Sequence, residues 1–211
     1  MTQRQVYVVD DDEQVRAALQ RLLESAGHAV RCFDSAARCL ECIVAECVAC
    51  LVLDLAMPGQ DGLQLQQLLL QRAPQMPVVF LTGRGDIDAS VRAMKRGATD
   101  FLTKPVNDER LFAAVEAALL EAERRQARRQ REEHLAAQLG ALTAREREVL
   151  AQVLEGLLNK QIAAVLGTTE KTIKFHRGNL MRKMHARSVA ELARRMAEAQ
   201  PGAESFWTKV Q

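Results

Sequence analysis

Five short apolar segments alternate with amphipathic ones along the first 120 residues. They are Val6–Val9, Ala29–Phe33, Ala49–Leu53, Pro77–Leu81 and Asp100–Thr103. Short, continuous apolar segments are typical of strands in a parallel sheet that helices cover on both faces. Five strand–helix units in succession therefore predict a doubly wound α/β fold, (βα)5, whose functional site lies at the carboxyl ends of the strands.

Charged and hydroxyl side chains stand where these strands end. Asp10 and Asp11 follow the first strand and Asp54 follows the third, and these two strands are neighbours if the sheet order is 2-1-3-4-5. Crowded carboxylates repel one another, and Mg²⁺ suits such a set of oxygen ligands. Thr82 ends the fourth strand and Lys104 the fifth. A carboxylate, a divalent cation, an ammonium and a hydroxyl group together favour reversible acceptance of a phosphoryl group.

Four segments at these strand ends resemble, in order and spacing, the receiver domain of two-component response regulators of the FixJ/NarL type. They are Val-Val-Asp10-Asp11-Asp, Leu-Asp54-Leu-Ala-Met-Pro-Gly, Leu-Thr82-Gly-Arg-Gly-Asp and Phe101-Leu-Thr-Lys104-Pro105. The similarity covers residues 4–120, so we expect a receiver domain over residues 1–120. The resemblance implies the fold, the activity and the site of that family.

The resemblance assigns a role to each of these residues. It implies that Asp54 is the phosphoacceptor, that Lys104 contacts the phosphoryl group, and that Thr82 and Phe101 form the switch pair. It also implies a Mg²⁺ site made by Asp10, Asp11, Asp54 and the backbone carbonyl of Ala56. By the same analogy, the peptide bond between Lys104 and Pro105 is cis.

Two positions depart from the pattern that the resemblance leads us to expect. Ala56 replaces the larger polar residue often found two positions after the phosphoacceptor, and Arg84 lies two positions after Thr82. A long cation at position 84 could reach the phosphoryl group or shield it from water. We predict an altered lifetime of the phosphorylated state.

Charge divides the chain into three parts. Residues 1–120 carry 12 Lys and Arg against 16 Asp and Glu, whereas residues 142–211 carry 12 against 7. Between them, residues 121–141 pair opposite charges at helical spacing, as in Glu121/Arg125, Arg128/Glu132 and Arg129/Glu133. We interpret this middle part as a charged helical linker that continues the last receiver helix and stops at Gly140. The basic part could bind nucleic acid.

The basic part has the pattern of a helix-turn-helix. Thr143-Ala-Arg-Glu146 fits a capping box, Asn159–Leu166 is a short helix stopped by Gly167, and Thr169 is a suitable N-cap for a basic helix over Glu170–Met184. Ser188 is a suitable N-cap for a further helix. These features predict an all-α, four-helix domain over residues 142–200, followed by a disordered tail over residues 201–211.

Three segments of this region resemble the LuxR-type helix-turn-helix. They are Leu142-Thr-Ala-Arg-Glu-Arg-Glu-Val-Leu, Gly156-Leu-Leu-Asn-Lys160-Gln-Ile-Ala and Thr172-Ile-Lys174-Phe-His-Arg177-Gly-Asn-Leu-Met-Arg-Lys-Met. The basic helix would then lie in the major groove of DNA. We expect contacts to DNA from Lys160, Thr169, Lys171, Thr172, Lys174, Phe175, Arg177, Gly178 and Arg182.

The residues expected at DNA divide by chemistry. Lys160, Lys171 and Arg177 are expected mainly on phosphates, and Lys174 on a guanine edge. Phe175 either contacts a thymine methyl group or folds back onto the protein. A glycine at position 178 costs about 1 kcal/mol in a helix interior, and either close approach to DNA or neutral drift would account for it.

The cysteines allow three interpretations. Cys39-x-x-Cys42 and Cys47-x-x-Cys50 have the doubled pairs of a zinc site, but only four residues separate the pairs. A redox-sensitive pair is a second interpretation. We favour the third, small residues of the core.

Together these features predict a regulator of transcription in the cytoplasm rather than an enzyme. No apolar segment approaches the roughly 18 residues of a membrane span. The resemblance implies a sensor histidine kinase, promoter DNA, RNA polymerase and, on phosphorylation, a second copy of the chain as partners, with catalysis limited to self-phosphorylation and slow autodephosphorylation. The alternatives are a constitutive DNA-binding regulator with a silent receiver and a Mg²⁺-dependent aspartyl phosphatase, which would use Asp10 and Asp12.

Overall fold

Five parallel strands form one sheet in the order β2-β1-β3-β4-β5. The strands are β1 (Arg4–Val9), β2 (Ala29–Phe33), β3 (Val48–Asp54), β4 (Val78–Thr82) and β5 (Asp100–Thr103). The structure is a computed structural model and describes residues 4–43, 47–57, 62–73, 76–83 and 87–199. The strand order confirms the doubly wound fold expected from the sequence.

Helices follow the strands in the first part of the chain. They are α1 (Glu13–Ser25), α2 (Ala36–Cys42), α3 (Gly62–Arg72), α4 (Ile87–Lys95) and α5 (Asp108–Gly140). The second helix is short, because Ile43 already adopts an extended conformation with φ −68° and ψ 124°. None of the helices in the described ranges is both long enough and apolar enough to cross a membrane.

Two apolar cores lie on opposite faces of the sheet. One joins residues such as Tyr7, Leu51 and Phe80 to α2 and α3, and the other joins the alternate residues of the same strands to α1 and α5. The strands are buried on both faces because they are sandwiched in this way. Burial of the strands leaves only their ends available for polar chemistry.

The cysteines follow this division and do not form a zinc site. Cys39 is buried in the core on one face of the sheet, and Cys50 is buried in the core on the other. Cys42 and Cys47 are half-buried and pack against the core that holds Cys39. The zinc interpretation is therefore wrong, because the sheet separates the thiols that would have to meet. The buried thiols are core residues, as we favoured.

Helix α5 carries the three ion pairs predicted for its charged part. Arg125 pairs with Glu121 at 2.8 Å, Arg128 with Glu132 at 2.8 Å, and Arg129 with Glu133 at 2.6 Å. Such exposed pairs stabilise a helix by only about 0.3–0.5 kcal/mol each. The helix ends at Gly140, as the sequence predicts. The chain divides into an N-terminal unit, Met1–Ala127, and a C-terminal unit, Arg128–Gln211.

The C-terminal unit is all-α. Its further helices are α6 (Ala144–Leu154), α7 (Asn159–Val165), α8 (Glu170–Lys183) and α9 (Val189–Ala199). The capping box of Thr143 and Glu146 opens α6, and Thr169 accepts the Thr172 N–H at the start of α8. The Glu191 N–H donates to Ser188 Oγ at the start of α9. The predicted tail, 201–211, lies outside the described residues.

Candidate functional site

Three carboxylates meet at the carboxyl ends of β1 and β3. Asp10 follows β1 and is fully buried, Asp54 is the last residue of β3 and is 6% exposed, and Asp11 is exposed. One carboxylate oxygen of each lies within 4.8 Å of the others, and no further group of this kind is found among the described residues. The parallel pairing of β1 and β3 brings them together, because both strands end at the same edge of the sheet.

Lys104 spans two of these carboxylates from the end of β5. Its Nζ lies 2.6 Å from Asp10 Oδ2 and 3.1 Å from Asp54 Oδ2. The peptide bond between Lys104 and Pro105 is cis, as the resemblance implied. The Lys104 ammonium therefore bridges the two buried carboxylates.

The same contacts determine the acidity of the groups. Burial raises the pKa of the Asp54 carboxyl, the Lys104 ammonium opposes this rise, and the charge of Asp10 adds to it. For Lys104, burial lowers the pKa, but the hydrogen bonds to Asp10 and Asp54 outweigh burial and leave the pKa raised. Lys104 is thus a permanent cation in the site.

The donor set fits a hard divalent cation. Asp10, Asp11 and Asp54 offer converging carboxylate oxygens, which are the ligands that Mg²⁺ prefers. The Ala56 backbone lies beside them, since its N–H hydrogen-bonds to the Asp54 carboxylate. These residues could hold Mg²⁺ with water completing its coordination.

The expected switch residues, Thr82 and Phe101, lie on β4 and β5, the two strands that follow β3 in the sheet. Thr82 ends β4, is 4% exposed, and donates through Oγ1 to the Gly83 carbonyl at 3.1 Å. Phe101 is half-buried on β5 and packs against the core that contains Phe80. Arg84, whose effect on the phosphorylated state we predict, lies outside the described residues.

Two residues near the acidic site have functions that sequence patterns did not reveal. Asp12 accepts the N–H groups of Gln14 and Val15, so its carboxylate caps α1 and does not join the cluster. Gly62 begins α3 so close to β3 that a Cβ on it would lie 2.6 Å from the Asp54 carbonyl oxygen. The only sequence signal for Gly62 was a glycine ahead of an amphipathic segment.

An apolar cavity of about 240 Å³ opens beside the acidic site. It lies between α1 and the start of α5. Lys104 and Pro105 form one wall, and Val15, Leu19 and Leu22 are among the residues of the other. A partner that reaches the acidic site from this side would meet apolar side chains.

In the C-terminal unit, α8 presents a basic face to solvent. Lys171, Lys174, Phe175, Gly178 and Arg182 are all exposed, whereas Ile173, Leu180 and Met184 point into the core. The Phe175 side chain is 65% exposed. Its one aromatic contact within the described residues is an edge-on contact with the His176 ring. It does not fold back into the core, which removes one of the two interpretations of this residue.

The other residues expected at DNA differ in whether they already have a hydrogen bond or ion pair within the protein. Lys160 is exposed on α7, and the hydroxyl groups of Thr169 and Thr172 lie 2.8 Å apart at the start of α8. Lys174 forms an exposed ion pair of 3.2 Å with Glu170.

Two arginines of α8 are engaged within the protein. Arg182 donates to Asn179, and Arg177 is half-buried and donates to Asn159 Oδ1 at 2.8 Å. Sequence reasoning missed Asn159, because its partner lies 18 residues away.

Comparison with protein families gives two matches. The model of the response regulator receiver domain matches residues 6–116, and the model of bacterial regulatory proteins of the luxR family matches residues 140–196. The first match contains the acidic site, and the second contains α6–α8 and most of α9.

Individual proteins match over nearly the whole chain. Response regulator protein TodT of Pseudomonas putida is 42% identical over 189 residues, which are 90% of this chain and 83% of TodT. Transcriptional regulatory protein FixJ of Bradyrhizobium diazoefficiens is 39% identical over 193 residues, 92% of this chain and 94% of FixJ. The solved structure of response regulator StyR covers 93% of this chain and 99% of its own, with 46% identity and a TM-score of 0.83.

Proposed function

Because this chain belongs to the family of response regulators that join a receiver domain to a LuxR-type DNA-binding domain, we propose that phosphorylation of Asp54 controls its binding to promoter DNA. A sensor histidine kinase supplies the phosphoryl group, and the phosphorylated protein acts on transcription in the cytoplasm through RNA polymerase.

One observation carries the receiver half of this proposal. The ammonium of Lys104 lies within 3.1 Å of Asp54 Oδ2 and within 2.6 Å of Asp10 Oδ2, at the point where three carboxylates converge. A lone acidic strand end would be an ordinary solvated group. A buried carboxylate held against a fixed cation is instead prepared to carry an anionic group.

The transfer exchanges one bond to phosphorus for another. A carboxylate oxygen of Asp54 forms the new P–O bond, the P–N bond to the histidine of the kinase breaks, and the imidazole leaves with the electron pair of that bond. Lys104 neutralises charge on the phosphoryl oxygens. Asp10, Asp11, Asp54 and the Ala56 carbonyl would hold Mg²⁺, which would supply further charge neutralisation. Hydrolysis of the acyl phosphate later restores the carboxylate.

The consequence of phosphorylation is a change at Thr82 and Phe101. Thr82 follows Leu81, the register partner of Asp54, and its hydroxyl would exchange its present partner, the Gly83 carbonyl, for a phosphoryl oxygen. Phe101 lies on the neighbouring strand, where it pairs with Phe80, two residues before Thr82, and it would follow the change. We propose that Thr82 and Phe101 act together as a switch in this way.

Dimerisation is the next step that we propose. Val91 and Met94 lie three residues apart on α4, and their side chains are 47% and 46% exposed. We propose that this surface, with β5, pairs two copies after phosphorylation. The dimer would then present two α8 helices to paired half-sites.

At the DNA, α8 lies in the major groove. Lys171 on α8 and Lys160 on α7 contact phosphates, and Lys174 leaves Glu170 to bind a guanine edge. The cost of leaving Glu170 is small, because exposed ion pairs contribute about 0–1 kcal/mol. Phe175 contacts a thymine methyl group.

The remaining polar and small residues of the interface support this docking. The hydroxyl groups of Thr169 and Thr172 and the N-terminus of α8 face a phosphate. Arg182 contacts the sugar–phosphate backbone of DNA, and Gly178 lets α8 approach that backbone closely. A Cβ on Gly178 would meet nothing within 4 Å in the free protein, so no contact within the described protein requires a glycine there.

Incubation with Mg²⁺ and a small-molecule phosphodonor tests the proposal. Intact mass and sedimentation are measured together on the full chain and on Asp54→Asn. We expect a covalent phosphate and a shift to dimer in the first and neither in the second. Exchange of Val91 and Met94 for serine should keep the phosphate and abolish the dimer.

Other outcomes would favour the alternatives. An unmodified wild type that binds promoter DNA without phosphorylation would indicate a constitutive regulator with a silent receiver. Multiple turnover of a phosphomonoester would indicate an aspartyl phosphatase, although the helix-capping role of Asp12 makes that chemistry unfavourable. Faster or slower dephosphorylation of Arg84→Ala than of wild type tests the predicted effect of Arg84, and equal rates would refute it.

A further inference from the structure

Helix α8 is attached to the rest of its unit by one apolar stripe and by polar tethers on both sides of it. Ile173, Leu180 and Met184 form the stripe and are fully buried. Taking 100° per residue, Arg177 lies about 40° to one side of Ile173 and Lys183 about 80° to the other. Neither Arg177 nor Lys183 therefore points along the outward face of α8.

Each tether has a defined partner. Arg177 NH1 donates to Asn159 Oδ1 of α7 at 2.8 Å. Lys183 Nζ donates to Glu146 Oε2 of α6 at 2.7 Å and to the Ala141 carbonyl at 3.1 Å. The two tethers pull on opposite flanks of α8, so together they resist rotation of the helix about its own axis.

Rotation matters because base recognition needs accurate placement. The side-chain tips of a helix lie about 5–6 Å from its axis, so a rotation of about 20° moves them by about 2 Å. An apolar stripe tolerates such a rotation better than a hydrogen bond to a base edge does, because dispersion contacts lack direction. A polar tether on each flank supplies the direction that the stripe lacks.

We propose that Arg177 is a positioning residue, whose bond to Asn159 fixes the rotation of α8, and that it is not a phosphate contact. This differs from the phosphate contact expected from the sequence. The inference rests on the proposed role of α8 in DNA recognition. It names Asn159, on the preceding helix, as a residue that determines specificity without touching DNA.

The two roles of Arg177 make different predictions for binding. Loss of a phosphate contact weakens binding to every sequence and lowers the slope of log K against log salt by about 0.9. Loss of a positioning bond weakens binding to the preferred sequence only and leaves the slope unchanged. Asn159→Ala is the decisive variant, since it breaks the bond and changes no charge.

The experiment uses the full-length protein treated with Mg²⁺ and a phosphodonor. The probes are a duplex that wild type enriches from a randomised pool and a scrambled duplex of the same composition, titrated over a range of salt. The variants are Asn159→Ala, Asn159→Asp and Arg177→Met, and the control is Lys171→Ala. Thermal unfolding of each variant shows whether its C-terminal unit remains folded.

We expect Asn159→Ala and Arg177→Met to lose about tenfold on the enriched duplex, the equivalent of one charge-assisted hydrogen bond, and less than about twofold on the scrambled one. Asn159→Asp keeps the acceptor and should restore the ratio between the two duplexes. The double variant of Asn159 and Arg177 should be no worse than either single variant. Lys171→Ala should weaken both duplexes and lower the slope.

Three results would overturn the inference. An unchanged ratio in Asn159→Ala would show that the bond does not determine specificity. A lower salt slope in Arg177→Met, with parallel loss on both duplexes, would assign Arg177 to a phosphate. If Lys171→Ala and Lys174→Ala leave both duplexes bound as tightly as wild type does, α8 does not read DNA and the proposed function fails with the inference.

Discussion

Substitution of Gly62 by alanine tests whether the close approach of α3 to β3 positions the phosphoacceptor. An added Cβ would lie 2.6 Å from the Asp54 carbonyl oxygen, 3.0 Å from Phe80 Cε1 and 3.2 Å from Leu55 Cα. Two of these atoms belong to the backbone of a buried strand end, and the Gly62 N–H donates to the Leu55 carbonyl at 3.0 Å. None of them can move away as the end of a flexible side chain could.

The geometry sets the size of the effect. Carbon–oxygen contacts normally lie near 3.3 Å, so the two segments must separate by about 0.7 Å. Overpacking of this kind costs about 1–3 kcal/mol, and the helix propensity of alanine returns only part of it at a first helical position. We therefore expect the N-terminal unit to lose about 1–2 kcal/mol and to melt about 3–10 °C lower. A displacement of Asp54 by this distance should slow its phosphorylation by about 10- to 100-fold.

Gly178→Ala provides the matched control. A Cβ on Gly178 would meet nothing within 4 Å, and the residue lies inside α8. The same chemical change should therefore stabilise the C-terminal unit by about 0.5–1 kcal/mol. Differential scanning calorimetry measures both variants, and intact mass after a timed reaction with a phosphodonor measures the rate.

Gly62→Ala would refute the reasoning if it melted at or above the temperature of wild type, as Gly178→Ala is expected to do. Lower stability with an unchanged phosphorylation rate would show that the close contact supports the fold without aligning Asp54. Gly178→Ala also tests the interface, because a variant that is more stable and yet binds DNA more weakly would assign the glycine to close approach.

Three further predictions follow from single residues. Lys183 holds the pKa of Glu146 below its ordinary value, so the C-terminal unit should lose stability as the pH falls below that value and through the folded pKa, and urea titrations of Glu146→Gln should show a flatter decline. Deoxyuridine in place of the contacted thymine should weaken wild-type binding about three- to fourfold and leave Phe175→Ala unaffected. Burial raises the pKa of Cys39 and of Cys50 to about 12, so mass spectrometry should find both unalkylated in folded protein at mildly alkaline pH.

The fold was predictable because its sequence signals are local. Apolar segments, helix caps such as Thr143 and Thr169, and charge pairs at helical spacing depend on residues at most four positions apart. The zinc interpretation of the cysteines failed for the opposite reason. Spacing alone could not show that successive residues of β3 alternate between two cores, which places Cys50 on the face opposite Cys39.

Only the residues of the candidate site that lie at strand ends could be predicted from the sequence. Asp10, Asp54 and Lys104 converge because parallel strands end at one edge, and this much follows from the strand order. The approach of Gly62 to β3 and the bond between Asn159 and Arg177 depend on contacts between distant residues, which no motif marks. A polar side chain with several possible acceptors keeps its role undetermined until the packing of its helix is known.

The two surfaces hold their cations in opposite ways, and the difference follows from what each surface must do. Lys104 is fixed by two carboxylates, so in the proposed transfer its charge would need no reorganisation. Lys171 and Lys174 are exposed, which suits their proposed role, because a surface that slides along a polyanion gains from solvated charge.

The six Lys and Arg residues between positions 171 and 187 therefore do not count equally toward DNA. Lys183 is bound to the buried Glu146, and Arg177 is bound to Asn159. These two charges hold the recognition helix in place, which leaves at most four of the six for phosphates or bases. A salt slope assigned to this segment should correspond to four phosphates or fewer, and a slope that required all six would mean that both tethers open when DNA binds.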